Sequence, residues 1–418
     1  MVARAADRTC AHGRETGKLR ALLIFEEGAA FVQVEVIAGH ESQCAPAEKF
    51  PPRNMGYGVR AQPLCTAARS VVEYLQARSF RKTFMTNAQI RGHGRTPTSK
   101  PSAGALWKWG AGAAGAALAA GTAAYNMART RRADDANPPL GSFIEVDGVR
   151  LHYVEQGSGP LIVLLHGNGM MVQDWQASGV FDALARTNRV LAFDRPGFGW
   201  SERPRSVIWT PAAQARLIAA ALSQRGDRDA TIVGHSFGTL VALELGLNHP
   251  GTARSLVLIS GYYHPSVRAD VAFAAPPAIP VLGDAIRYTV SPLLGAAMRR
   301  GMETQMFAPG AVTQGWKTDF PFEMTLRPSQ IRAAAADAAL MIPAAASFAS
   351  RLGSLDLPVS LIAGDGDKIV STADQSVRLA RELGPAELLI VEGAGHMVHH
   401  TAPAEVVAAI LAASTRTP

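Results

Sequence analysis

A serine stands between two glycines in Gly234-His235-Ser236-Phe237-Gly238. Residues 230–233 before it form an apolar β-type run, and residues 239–248 after it read as a helix. A serine at a sharp strand-to-helix turn is held in a strained backbone with its hydroxyl raised above the sheet. There the N–H of Phe237 can face a developing oxyanion. Such a serine is a weak nucleophile until a base takes its proton, and the base needs a carboxylate to orient it. Two downstream loops offer both. Gly364-Asp365-Gly366-Asp367 follows the apolar run 359–363, and Gly395-His396 follows the run 387–391. We assign Ser236 as nucleophile, His396 as general base and Asp367 as its orienter. Asp365 competes with Asp367 and suits a turn cap. A fourth loop, His166-Gly167-Asn168-Gly169, ends the apolar run 161–165. Its glycines let backbone N–H groups approach a substrate, so the amide of Asn168 is expected to join that of Phe237 in an oxyanion hole. Gly167 and Gly169 are then substrate-binding positions. His166 and His235 are expected to pin their loops, and His399 and His400 to pack against the body.

The elements that position these loops follow in order. Residues 143–155 are two alternating strands around Asp147-Gly148, a hairpin signal. Residues 161–165 form a continuous apolar strand of the kind buried on both faces of a parallel sheet. The next strand, 189–193, leads into Asp194-Arg195-Pro196-Gly197-Phe198-Gly199, and 211–225 reads as a helix. After the nucleophile strand and its helix come a strand at 255–259, an interruption, a strand at 359–363, a helix at 372–383, a strand at 387–391 and a helix at 403–413. Alternating strands and helices predict a doubly wound, mostly parallel α/β sheet. Ligands then sit at the carboxyl ends of the strands, where the Gly-rich loops fall.

Charge divides the 418 residues. Up to Arg132 there are 19 Lys and Arg against 8 Asp and Glu; beyond it, 22 against 26. The net charge of +7 therefore belongs to the leader and argues against nucleic-acid binding. All three cysteines, Cys10, Cys44 and Cys65, lie there too, so the body has no disulfide framework, thiolate nucleophile or Cys-based metal site. Residues 1–84 show no sustained period, beyond short strands within 21–37 and a helix at 67–77. Met85 is an alternative start, which leaves 1–84 untranslated. Residues 85–142 carry basic residues, then the Ala/Gly-rich run 109–125 with aromatic ends, then Arg129, Arg131 and Arg132. About 17 residues is the short edge for a membrane span. Segment 105–127 is thus expected as a membrane anchor, a cleaved signal or a linker, the protein being anchored or exported in the first two cases and cytoplasmic in the third. Residues 133–142 are expected to break the helix.

Residues 143–413 resemble the α/β-hydrolase superfamily, in its branch with a cap between strands six and seven. The matching features are His166-Gly167, Asp194-Arg195-Pro196-Gly197-Phe198-Gly199-x-Ser201, Gly234-His235-Ser236-Phe237-Gly238, Gly364-x-x-Asp367 and Gly395-His396. The resemblance implies a core of 143–261 and 352–418 with a helical cap at 262–351. It is specific for fold and triad and says little about substrate. From the triad and the apolar cap we expect a serine hydrolase that cleaves an ester-like bond of a small, largely apolar molecule through an acyl-enzyme, with no cofactor or metal. Perhydrolase and C–C hydrolase chemistry use the same triad, and a non-catalytic, membrane-tethered binding module is a third reading. Related dehalogenases and epoxide hydrolases carry Asp where this chain has Ser236. Such relatives use the Asp194 stretch as a structural loop. Tyr262 and Tyr263 follow a strand end and are expected to line the site. The apolar residues of the cap are expected to shape a pocket for an acyl or aromatic group, or to form the cap's own core.

Overall fold

A computed structural model describes residues 3–4, 8–12, 15–26, 29–38 and 103–416, apart from 349 and 385. It divides into two units, 1–98 and 99–418. In the first, Glu15–Glu26 pairs antiparallel with Ala3–Arg4, Arg8–His12 and Ala29–Ala38. The strands expected within 21–37 are thus parts of two longer ones. The helix expected at 67–77 lies outside the described residues, as does Met85.

The second unit is built on eight strands. Strands β1 (Ser142–Val146) and β2 (Val149–Gln156) form the expected hairpin. Its turn residues Asp147 and Gly148 have φ of 51° and 72°, the left-handed pair that a two-residue hairpin turn demands. Then come β3 (Leu161–Leu165), β4 (Arg189–Phe193), β5 (Ala230–His235), β6 (Ala253–Ile259), β7 (Val359–Gly364) and β8 (Glu387–Val391). Their spatial order is β1-β2-β4-β3-β5-β6-β7-β8. Pairing is antiparallel from β1 to β4 and parallel from β4 to β8.

Side chains alternate across a strand, so an apolar run must find cover on both sides. In β3, Val163 and Leu165 join one core with Leu217, Ile218, Leu240 and Leu243. Ile162 and Leu164 join the other with Trp175, Phe181, Val406 and Ile410. The covering helices of the first core include α4 (Pro211–Gln224) and α5 (Phe237–Asn248). Those of the second are α2 (Gln173–Ala177), α3 (Val180–Ala185) and, at the end of the chain, α14 (Pro403–Ser414). Thr210 caps α4, its hydroxyl accepting the N–H of Ala213, with Pro211 at the first helical position.

Between β6 and β7 the chain leaves the sheet for a helical lid: α6 (Ala269–Ala274), α7 (Leu282–Tyr288), α8 (Val290–Phe307), α9 (Gln314–Asp319), α10 (Phe322–Thr325) and α11 (Pro328–Phe348). After β7 come α12 (Arg378–Leu383) and α13 (Val398–Thr401). Of the lid's apolar residues, Phe307, Trp316, Phe320 and Met324 form a core of its own. Trp316 stacks on Phe320 with centroids 4.0 Å apart.

Ahead of the sheet, α1 spans Ala103–Ala136. The break expected over 133–142 falls within that span, at Asn137, tertiary contacts carrying the helix as far as Ala136. Ala133 is buried in the lid core, and Asp134 pairs with Arg327 at 3.1 Å. Pro138 and Pro139 then stop it. By length and composition, one helix among the described residues is apolar enough to cross a membrane, and it is α11 in the lid. Helix α1, rich in Ala and Gly, falls short of that measure.

Candidate active site

Ser236 has φ 51° and ψ −119°, a conformation that costs a non-glycine residue of order 1–3 kcal/mol. The surroundings hold it there. Its N–H donates to the carbonyl of Ile259 at 2.9 Å, and its carbonyl accepts the N–H and hydroxyl of Thr239 at 3.0 and 2.6 Å. A Cβ on Gly234 would strike the backbone of Gly238, and one on Gly238 would strike the carbonyl of Leu165. The two glycines are therefore what lets β5 turn so sharply into α5.

The turn leaves the Ser236 hydroxyl part-exposed and 3.0 Å from Nε2 of His396. The Nδ1 of His396 lies 2.8 Å from Oδ2 of Asp367. The other carboxylate oxygen of Asp367 accepts the N–H groups of Ile369 and Val370 at 2.7 and 3.1 Å. With Asp367 ionised, His396 Nδ1 donates to it and Nε2 is free to accept the serine proton. Asp365 is turned away, accepting the N–H of Gly393 at 2.8 Å. The structure therefore brings Ser236, His396 and Asp367 together and leaves Asp365 as a turn cap.

Phe237 opens α5, so its N–H has no intrahelical acceptor. Gly167 packs against Ser236, where an added Cβ would come within 3.2 Å of the serine Cβ. The Asn168 side chain donates to the carbonyl of Ala334 in α11 at 3.0 Å, and the carbonyl of Gly169 accepts from Gln330 at 3.2 Å. The His166–Gly169 loop is thus clamped to the lid.

Two expected substrate-binding residues are placed elsewhere. Tyr263 is fully buried in the sheet core, its ring folded against Gly261 and Thr239, and burial pushes its hydroxyl pKa up. Its ring fits because Gly261 leaves the space. Tyr262 is also buried, among Ala345 and Val370, with its hydroxyl accepting the N–H of Ser266 at 2.7 Å. Both support the loops around the triad rather than facing a substrate.

The sequence reading missed Arg195. Its guanidinium is fully buried and donates to the carbonyls of His166 (2.8 Å) and Gly167 (3.0 Å), to Gln214 (2.8 Å) and to Asp337 of the lid (2.6 Å). Asp337 also takes Arg203 at 2.9 Å. One carboxylate on α11 thus fixes the arginine that fixes the loop beside Ser236. The signal was present in Asp194-Arg195-Pro196-Gly197, and Asp337 had none. Asp194 is structural, accepting from Val172 and Trp200 N–H groups at 2.8 and 2.9 Å and facing His152 at 2.7 Å. His166 donates from Nδ1 to the Gly167 carbonyl at 2.8 Å and accepts the Arg195 N–H at Nε2, 2.9 Å. Burial, then the Arg195 charge, bring its pKa down to about 4.

Behind His396 lies a second buried network. His235 Nε2 donates to the carbonyl of His396 at 3.1 Å. Asp174 Oδ1 stands 3.1 Å from His399 Nε2 and 2.8 Å from His400 Nε2. Burial alone would raise the Asp174 pKa, but the charges and hydrogen bonds of His399 and His400 hold it well below the usual carboxylate range. Burial, and then like-charged histidine neighbours, push His235 well down. Among the described residues this trio is the one group of three donors close enough to hold a cation. Both Nε2 atoms lie at hydrogen-bond distance from the carboxylate, which fits a network that ties the His396 turn to α2.

A family model described as the alpha/beta hydrolase fold matches residues 160–403, and the chain belongs to that family. It is 36% identical over 129 residues to a 2-hydroxymuconate semialdehyde hydrolase of Pseudomonas sp. strain CF600, a match covering 29% of this chain and 44% of the relative. It is similar to a solved alpha/beta hydrolase fold protein of Burkholderia ambifaria, with TM-score 0.56 and 23% identity over 65% of this chain and 97% of the other. It is also similar to a thermophilic esterase of Thermogutta terrifontis, with TM-score 0.54 and 19% identity over 65% and 97%. The chain spans less than half the length of the curated relatives it matches.

Proposed function

We propose that the protein is a serine hydrolase that cleaves an ester-like bond of a small, largely apolar molecule. The observation that carries this reading is the hydrogen-bonded line from Ser236 through His396 to Asp367, at 3.0 and 2.8 Å. Ser236 Oγ attacks the carbonyl carbon while its proton passes to His396 Nε2. Asp367 holds the resulting imidazolium, and the N–H groups of Phe237 and Asn168 receive the oxyanion. The carbonyl re-forms as His396 hands the proton to the leaving oxygen. A water, deprotonated by His396, then attacks the acyl-enzyme and releases acid and free Ser236. The apolar character is supported by the Met, Phe and Trp content of the lid, whose α11 clamps the loop beside Ser236.

Fluorophosphonate labelling tests the reading. One adduct per chain is expected by intact mass, lost in Ser236→Ala together with hydrolysis of a soluble short-chain ester. Turnover that survives in that variant would sink the assignment. The similarity to a 2-hydroxymuconate semialdehyde hydrolase favours a second reading, C–C bond hydrolysis with the same serine. Cleavage of a vinylogous diketone in preference to the ester would replace the first reading by the second.

A further inference from the structure

The lid turns an apolar face outward. Of nineteen exposed large apolar side chains among the described residues, ten lie between Phe273 and Met302, and three more are on α1. On α8, Val290, Leu293, Leu294, Met298 and Met302 recur every three or four residues and are exposed, while Pro292, Glu303 and Phe307 are the buried ones. A helix of a water-exposed protein turns such a stripe toward its core. This one turns it out, and contiguous patches of that kind mark an interaction surface.

The helix α1 leaves the body at the middle of this face. Asn126 is buried and donates to the carbonyls of Tyr288 and Thr289, at 3.0 and 2.7 Å, where α7 meets α8. Beyond it, residues 111–125 carry no charge and rise for about 22 Å. Their one threonine, Thr122, satisfies its hydroxyl on the Leu118 carbonyl at 2.7 Å. Nothing in that stretch needs water.

Charge names the occupant. A concavity beside the stripe is lined by Ala296, Arg299, Arg300, Glu303, Thr304 and Lys317. Glu303 is taken by Arg299 and by the Trp316 N–H, at 2.8 and 3.0 Å. Asp284 is taken by Arg205 and Arg287, and Glu323 by Arg129. Arg300 and Lys317, with the exposed Arg131 and Arg132, are left without an acid partner within the described residues. Asp135 and Asp319 are exposed and unpaired as well among the described residues, so four free cations stand against two free acids around the apolar face. An apolar surface rimmed by cations is complementary to a bilayer with anionic headgroups.

We propose that the outer face of α7 and α8 rests on an anionic bilayer, and that the substrate of the Ser236 site is an acyl ester drawn from it. The second half rests on the serine-hydrolase reading. The test uses the full chain with Cys10→Ser, Cys44→Ser and Cys65→Ser, carrying an environment-sensitive dye at Met298→Cys or, as control, at Glu405→Cys on α14. Vesicles of phosphatidylcholine, with and without phosphatidylglycerol, are added. The dye at 298 is expected to shift to the blue and become shielded from an aqueous quencher, more so with phosphatidylglycerol, while the dye at 405 stays unchanged. Arg300→Gln with Lys317→Gln is expected to weaken binding to the anionic vesicles about 30-fold. A chain that floats with vesicles while the dye at 298 stays in water would overturn the proposal, as α1 alone would then hold the membrane. A shift that follows protein concentration without vesicles would overturn it in favour of a second copy, and absence of vesicle binding would also overturn it. Fatty acid release from the vesicles, lost in Ser236→Ala, is expected for the substrate half. Soluble-ester turnover without such release removes that half alone. Absent labelling by the fluorophosphonate removes the hydrolase reading and leaves the dye result standing.

Discussion

In the loop beside Ser236, the partners of His166 fix its protonation as well as its place. The His166 ring must stay neutral, because its Nε2 accepts the Arg195 N–H while its Nδ1 donates to Gly167. Its pKa falls from 6.5 in the unfolded chain to about 4 in the fold. Between those values the unfolded state binds the proton and the folded state does not. Stability should therefore fall as pH drops below about 6.5 and level off below about 4, by about 3 kcal/mol from this residue. His235 and His399, also held down by burial, act in the same direction. Urea unfolding at a series of pH values checks this, and His166→Asn should flatten part of the slope. Equal slopes in both proteins would remove His166 from the account. Ser236, His396 and Asp367 were legible in the sequence because each sits in a Gly-containing loop at a strand end. Arg195 was legible only as part of a motif, and its target, Asp337, has no neighbours in sequence that mark it. Tyr262 and Tyr263 misled because a position after a strand does not say which way the ring turns.

Among the elements, α11 combines two tasks that the sequence did not separate. It is part of the lid, and through Asp337 it holds Arg195 and Arg203 in a site from which water is excluded. Removing one partner of a buried ion pair costs about 3–5 kcal/mol. Asp337→Ala should lose that much stability by denaturant unfolding, and the rate of fluorophosphonate labelling should fall with it as the His166–Gly169 loop loosens. Arg205→Ala, which breaks the part-exposed pair with Asp284, should cost less than about 1 kcal/mol. Similar losses in the two variants would mean that the buried pair is not the clamp. The strands were readable because buried parallel strands are apolar throughout. The exact end of α1 within 133–142 was not, because Ala133 and Asp134 continue it through contacts with residues some two hundred positions away, and local propensity cannot see those.

For the whole molecule, the sheet and every residue of the site lie within the second unit, 99–418. A chain that begins at Ser99 is expected to fold and to react with the fluorophosphonate at a rate close to that of the full chain. Failure to label, in a protein with an intact circular dichroism spectrum, would show that the first unit contributes to the site. The attachment of α1 has a mechanical consequence. Its anchor points are Asn126 on the α7–α8 joint, Arg129 on Glu323 and Asp134 on Arg327, and all three partners belong to the lid. A pull along α1 is therefore delivered to the lid helices before it reaches the sheet. Any displacement of α1 thus loads the roof of the site before the strands beneath Ser236.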